Sequence, residues 1–163
     1  MAVAELVASR RGGVIGPFIP ALRSPELTRR LQRLGEYLRY DAALPPKLRE
    51  MAILLTAHEW RQGFEWHVHA PIAAQAGLGA DLIAAIADGR TPSSMDRGES
   101  LVHEFFSQLN RDHAIDDPTY EAAVGEFGEK GVVDLIAVIG YYATLAMLMN
   151  VAQTEAEGLR PKA

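Results

Sequence analysis

Two consecutive helical patterns between residues 44 and 78 constrain the fold of this chain more than any other feature. Pro45 and Pro46 suit the first turn of a helix, where a residue without an N–H group loses no hydrogen bond. Apolar residues then recur at the spacing of a single helical face, namely Leu48, Met51, Ala52 and Leu55. The sequence therefore predicts a first helix that runs to about Trp60.

A second helix is predicted directly after the first, over residues 64–76. Gly63 interrupts the first pattern, and Gly77 can adopt the left-handed conformation that commonly closes a helix. The two helices should form an αα-hairpin. Gln62 and Glu65 fall at the start of the second helix, where free N–H groups and the helix dipole favour anionic groups.

Three ionisable side chains lie on this predicted hairpin. Glu50 is on the first helix, whereas Glu65 and His69 are four residues apart on the second and project from the same face. Taken alone, Glu65 and His69 are most simply explained as a pair on the helix surface. With Glu50 on the adjoining helix and Trp66 as a neighbour, the three side chains are also candidates for a shared site.

The rest of the chain is predicted to be helical, because no stretch alternates with period two for long enough to suggest a strand. Ser24 is the predicted N-cap of a helix that ends near Tyr40, and Asp96 that of a helix over residues 97–110. Asp117 and Pro118 should open another helix, which stops at Gly128. The remaining predicted helices cover residues 80–87 and 131–152.

The last of these segments is almost entirely apolar, with Asp134 as its single charge. Its length would just allow it to span a bilayer, but it lacks flanking Lys/Arg anchors. Small residues at Ala137, Gly140, Ala143 and Ala146 allow close helix packing instead. We therefore predict a core helix, with part of its surface covered by another subunit, and no membrane partner.

Composition narrows the possible functions. The 163 residues suit one domain over residues 24–155, preceded by an irregular arm (1–23) and followed by a tail (156–163). A net charge of −5 argues against a nucleic-acid partner. The sequence has no cysteine, which removes thiolate nucleophiles and disulfides, and no signal-peptide pattern, so a cytoplasmic location is expected.

The runs REMAILL and FEWHVHAPIAAQAGL resemble the carboxymuconolactone decarboxylase family, which also contains the alkylhydroperoxidase D-like (AhpD-like) proteins. The likeness continues through DLIAAIADGR and VVDLIAVIGYYATLAMLMN, and so covers roughly residues 30–150. It implies an all-α helical bundle of about six to eight helices. It also implies a homo-oligomer, most simply a trimer or a hexamer.

The peroxidase branch of this family carries C-x-x-C-x-x-x-H, preceded by a glutamate on the helix before. Here the same frame holds Gln62, Glu65 and His69, preceded by Glu50, so neither cysteine is present. The resemblance then implies the decarboxylase-like branch, acting without a cofactor on a small carboxylated lactone or a related acid. It makes His69, Glu65 and Glu50 the predicted catalytic residues. The predicted substrate-binding residues are Gln62, Trp66, Arg49, Arg61 and Tyr142.

Two alternative functions stay open at this point. One is the alkylhydroperoxidase activity of the sister branch, to which the absence of cysteine is a chemical objection. The other is a non-catalytic helical oligomerisation module. Glu50, Glu65 and His69 could together hold a metal ion. No fourth ligand and no zinc-like spacing accompany them in the sequence, so no metal is predicted.

Overall fold

The computed structural model describes Ala4 and residues 13–153. Over residues 13–153 the chain forms helices and no strand. In chain order the helices are α1 (Phe18–Ala21), α2 (Pro25–Tyr40), α3 (Pro46–Glu59), α4 (Gly63–Gln75), α5 (Ala80–Ala87), α6 (Arg97–Asp112) and α7 (Asp117–Ala152). The predicted all-α bundle of about six to eight helices is therefore confirmed.

Helix α3 is the centre of the bundle. It contacts α4, α5, α6 and α7, and every residue from Glu50 to Ala57 is buried. A helix that is apolar on several faces needs neighbours on several faces, and these four helices supply them. Glu50 is thus carried into the interior by the helix that the core is built around, with only 1% of its surface exposed.

The helix ends show which of the predicted capping residues make capping hydrogen bonds. Asp96 and Glu99 form a capping box at the start of α6, each side chain accepting a 2.8 Å hydrogen bond from the backbone N–H of the other. Ser24 occupies the N-cap position of α2, but its side chain makes no capping bond. The Thr28 hydroxyl instead bonds to the carbonyls of Ala21 and Ser24, so the predicted role of the Ser24 side chain is wrong.

Helix α7 begins at Asp117 as predicted, and Asp116 caps it by accepting a hydrogen bond from the N–H of Thr119. The chain leaves helical geometry at Gly128, where φ is 71°, and resumes the helix at once. The two helices predicted on either side of Gly128 are therefore joined by a kink rather than by a loop. Left-handed φ values suit glycine, which explains the position of the kink.

By length and composition, α7 is apolar enough to cross a membrane, but 56% of its most apolar 18-residue stretch is buried inside the molecule. The core helices of soluble proteins can have the same length and composition. Its outward side still exposes four apolar residues, Val133, Ile136, Met147 and Val151. That side is what the predicted subunit contact would cover.

Asp134, the single charge of this segment, ties α7 to the preceding helices. It is 5% exposed and accepts hydrogen bonds from the Tyr37 hydroxyl (2.9 Å), the Ala43 N–H (2.7 Å) and Lys130 Nζ (2.8 Å). Burial raises the pKa of Asp134, but the hydrogen bonds from Lys130, Ala43 and Tyr37 outweigh it and hold the pKa below its ordinary value. The carboxylate thus fixes the α2–α3 connection against α7.

The predicted irregular arm contains one turn of helix, α1, whose Phe18 is fully buried. Residues 1–3 and 5–12 of that arm, and the predicted tail over residues 156–163, lie outside the described residues. The predicted domain boundaries therefore stay predictions.

Candidate active site

The turn between α3 and α4 sets the direction of α4, the helix that carries Glu65 and His69. Gln62 is the N-cap of α4, and its Oε1 accepts a hydrogen bond from the N–H of Phe64. Its Nε2 donates to Asn150 Oδ1 on α7, and Asn150 Nδ2 donates to the carbonyl of Trp60. Gln62 thus joins the turn, α4 and the end of α7, so its observed contacts are those of a positioning residue.

His69 and Glu50 form a close pair between α4 and α3. Nδ1 of His69 lies 2.7 Å from Oε2 of Glu50, and the two side chains are 3% and 2% exposed. This distance is that of a hydrogen bond, in which Nδ1–H donates when the carboxylate is ionised. This pairing fixes the ring orientation and leaves Nε2 on the opposite side.

Glu65 lies on that opposite side of the ring. Its Oε2 is 3.5 Å from Nε2 of His69, which is beyond ordinary hydrogen-bond length and corresponds to an ionic contact when the ring is protonated. Glu65 is 4% exposed. A single buried imidazole therefore has one carboxylate at each nitrogen, an arrangement that can pass a proton through the ring.

Tyr142 packs against the same imidazole from α7. The two ring centroids are 5.0 Å apart and the rings are almost perpendicular, at 86°. Tyr142 is 3% exposed, and its hydroxyl has no hydrogen-bond partner among the described residues. Burial and the negative charge of Glu65 raise the pKa of Tyr142 well above its ordinary value, so the hydroxyl stays protonated.

Arg49 borders the cluster beside Glu50. Its Nε lies 3.6 Å from Glu50 Oε1, and within the described part of the chain this buried atom makes no hydrogen bond. The Arg49 side chain is 12% exposed, more than those of Glu50, Glu65 and His69. Arg49 is therefore the most exposed of these four side chains.

The other predicted substrate-binding residues differ in their placement. Trp66 is partly buried and packs against the hydrophobic core. Arg61 is exposed in the α3–α4 turn with φ at 50°, and none of the contacts described for residues 13–153 joins it to the cluster. Arg39, a half-buried residue near the end of α2, was not predicted from the sequence. Its positive charge lowers the pKa of Tyr142 and so opposes the effect of Glu65.

The cluster is closed in this conformation. An open cleft of about 800 Å³ lies elsewhere, between α1 and the end of α7, and shares no lining residue with the cluster. No group of three or more His, Asp or Glu side chains within the described ranges is arranged to hold a metal ion. The chemistry that the geometry supports directly is proton transfer.

Fold and site together define a class, an all-α protein in which a buried histidine of a helical hairpin lies between two carboxylates. The family model of the carboxymuconolactone decarboxylase family matches residues 25–96, from the start of α2 to the N-cap of α6. The predicted family resemblance is thereby confirmed over a segment that contains Glu50, Glu65 and His69, and the absence of cysteine agrees with the cysteine-free branch. A search of curated proteins finds no match to the chain.

Proposed function

We propose that this protein is a cofactor-independent lyase that removes CO₂ from a small carboxylated lactone or a related acid by general acid–base chemistry. The observation that carries the proposal is the buried His69 imidazole, held 2.7 Å from Glu50 and 3.5 Å from Glu65. The family match supports the fold and is compatible with a decarboxylase or a related activity.

The proposed reaction needs no external electron acceptor. When the bond between the ring carbon and the carboxylate breaks, CO₂ leaves and the electron pair moves through the conjugated alkene onto the lactone carbonyl oxygen. The resulting enolate then takes one proton on carbon. The protein has to supply that proton and to stabilise the transient negative charge.

The geometry supports one direction for the proposed proton transfer. Because Nδ1 of His69 is engaged by Glu50, the proton leaves from the Nε2 side, where Glu65 lies. Glu50 orients the ring, while Glu65 exchanges a proton with Nε2. General acid–base steps of this kind typically contribute about 10² to 10⁴ in rate.

Entry of a substrate requires the side chains over the cluster to move. Arg49 is more exposed than Glu50, Glu65 and His69 and has a buried Nε without a hydrogen-bond partner among residues 13–153. A guanidinium in this position can bind the carboxylate of an incoming acid before the bond breaks. We therefore propose Arg49 as the carboxylate anchor, and leave Arg61 out of this role.

The closed cluster and the exposed apolar side of α7 favour one alternative, a helical module that assembles without catalysis. A screen of carboxylated lactones and small keto acids for CO₂ release separates the two functions. The proposal expects turnover of at least one carboxylated lactone by the metal-free protein. Absence of CO₂ release from the whole series, with the protein folded and assembled, would favour the module.

Thiol peroxidase activity remains the disfavoured alternative. That reaction needs a thiolate that attacks the peroxide and a thiol that restores it, and the chain contains no cysteine. Hydroperoxide turnover by the purified protein with a dithiol reductant would reverse this judgement.

A further inference from the structure

The Tyr142 hydroxyl is a buried polar group that the proton relay leaves unused. Its side chain is 3% exposed, and its oxygen bonds to no other described residue. Leaving a buried hydroxyl unpaired typically costs about 1 to 3 kcal/mol. Such a group in a folded protein therefore calls for an explanation, and one explanation is a partner that arrives with a ligand.

The surroundings of Tyr142 place this unused donor at the site. Its ring meets the His69 imidazole edge to face at 5.0 Å. The charges of Glu65, Glu50 and Arg39 all act on its hydroxyl. Tyr142 is therefore in direct contact with the proposed proton donor and shares its electrostatic surroundings. The residue belongs to α7 and lies beyond the segment that matches the family model.

We propose that the Tyr142 hydroxyl donates a hydrogen bond to the substrate carbonyl oxygen and stabilises the negative charge that this oxygen gains when CO₂ leaves. The inference rests on the proposed function and deepens it. Atoms balance, since Tyr142 keeps its proton while the carbon receives one from His69. Tyr142 would then act on the oxygen, whereas His69 acts on the carbon.

The electrostatics of the site suit a neutral donor for this task. Burial and Glu65 hold the Tyr142 hydroxyl in its protonated form, so it is a donor at every physiological pH. A fixed donor in a site closed to water acts most strongly on an oxygen whose charge increases during the reaction. The ligand class that this favours is a small, planar, conjugated carbonyl compound that passes through an enolate.

Two small lactones serve as a matched pair of binding probes. Tetronic acid is a planar five-membered lactone that is an enolate anion at neutral pH, and 2(5H)-furanone has the same ring without the anionic oxygen. Binding of each probe is measured by isothermal titration calorimetry at fixed pH and ionic strength. The variant Tyr142→Phe removes only the hydroxyl. Tyr141→Phe is the control, because it removes the hydroxyl of the adjacent buried tyrosine, which contacts the Tyr142 ring edge to face.

The expected result is that the wild-type protein binds tetronate more tightly than 2(5H)-furanone, and that Tyr142→Phe weakens tetronate binding by about tenfold or more. The furanone affinity should change by less, and Tyr141→Phe should leave the preference for tetronate in place. Because the hydroxyl has no partner in the free protein, Tyr142→Phe should melt no lower than the wild type. A merely structural hydroxyl would lower the melting temperature and leave the preference unchanged.

Failure of the inference is distinguishable from failure of the proposed function. Equal tetronate affinity in Tyr142→Phe and wild type, or no tetronate binding by the wild type, overturns the role of Tyr142 even if CO₂ release is observed. Binding of tetronate that depends on Tyr142, together with no CO₂ release from any carboxylated lactone, supports the oxyanion site and rejects the decarboxylase.

Discussion

Glu50, Glu65 and His69 are almost completely buried, so the stability of the folded protein depends on how these three ionisable side chains pair with one another. A buried charge without a partner is strongly destabilising, and removing one member of a buried pair commonly costs about 3 to 5 kcal/mol. Substitutions at these positions should therefore keep shape and hydrogen-bonding capacity. Glutamine meets that condition for all three residues, so it separates chemistry from packing.

At the residue scale, we expect Glu50→Gln and Glu65→Gln each to lower kcat/KM by about tenfold or more, and the double variant to lose less than the product of the two losses. The reason is that both carboxylates lie against the same imidazole, one at each ring nitrogen. The measurement is steady-state kinetics on the substrate found by the CO₂ screen. Glu59→Gln, an exposed change at the end of α3, is the matched control and should leave kcat/KM unchanged.

The carboxylate–histidine part of the site could be predicted from the sequence, because a spacing of four residues on one helix fixes the relation of Glu65 to His69. The packing of the Tyr142 ring against His69 and the effect of the Arg39 charge on Tyr142 could not. They depend on how α7 and α2 pack against the hairpin, and helical periodicity does not determine which residues of distant helices meet. The exposed position of Arg61 depends on the turn geometry, which the residue type does not reveal either.

At the element scale, local caps and long-range polar contacts such as those of Asp134 add to the packing of the apolar core. Caps such as Asp96 with Glu99 were predictable because they involve neighbouring residues. Ser24 shows the limit of such predictions, since it occupies the N-cap position of α2 while its side chain makes no capping bond. The joining of two predicted helices at Gly128 also depended on packing, because the glycine allowed either a stop or a kink.

Asp134→Asn tests the polar contacts of Asp134. We expect it to destabilise the protein at neutral pH by about 1 to 3 kcal/mol, because it removes the charge that Lys130 and Tyr37 bind. The pKa of Asp134 is lower in the folded protein than in the unfolded chain. The stabilisation is therefore present above the unfolded pKa of about 3.9 and is lost as the pH falls through the folded value.

Chemical denaturation at several pH values measures this effect. The difference in unfolding free energy between wild type and Asp134→Asn should be largest near neutrality and should shrink as the pH falls below the ordinary aspartate pKa. Asp88→Asn is the control, because Asp88 pairs with Arg90 while both side chains are more than half exposed. The Asp88 change should have little effect. A pH-independent difference for Asp134→Asn would contradict the assigned cause.

At the scale of the whole molecule, the exposed apolar side of α7 supports the predicted homo-oligomer. Val133, Ile136 and Val151 are 63%, 46% and 87% exposed on one helix. We expect light scattering to return a multiple of the 17.8 kDa chain mass, with a trimer or hexamer favoured by the family resemblance. A mass of one chain at micromolar concentration would contradict the prediction.

A charge placed on that side should weaken assembly without unfolding the chain. We expect Ile136→Lys to shift the mass toward the monomer, because a buried interfacial lysine without a partner is unfavourable. Tyr120→Lys is the matched control, since Tyr120 has nearly the same exposure and lies on α7 before the kink at Gly128. Equal masses for the wild type and both variants would place the subunit contact elsewhere.

The central claim is that His69 donates the proton, and the kinetics of His69→Gln test it most directly. The measurement is kcat/KM of wild type and variant on the identified carboxylated lactone across about pH 5 to 8, the range in which histidine ordinarily titrates. We expect His69→Gln to lose about 10² to 10⁴ in kcat/KM with unchanged oligomer mass and melting temperature. Near-wild-type kcat/KM for His69→Gln throughout this range would contradict it.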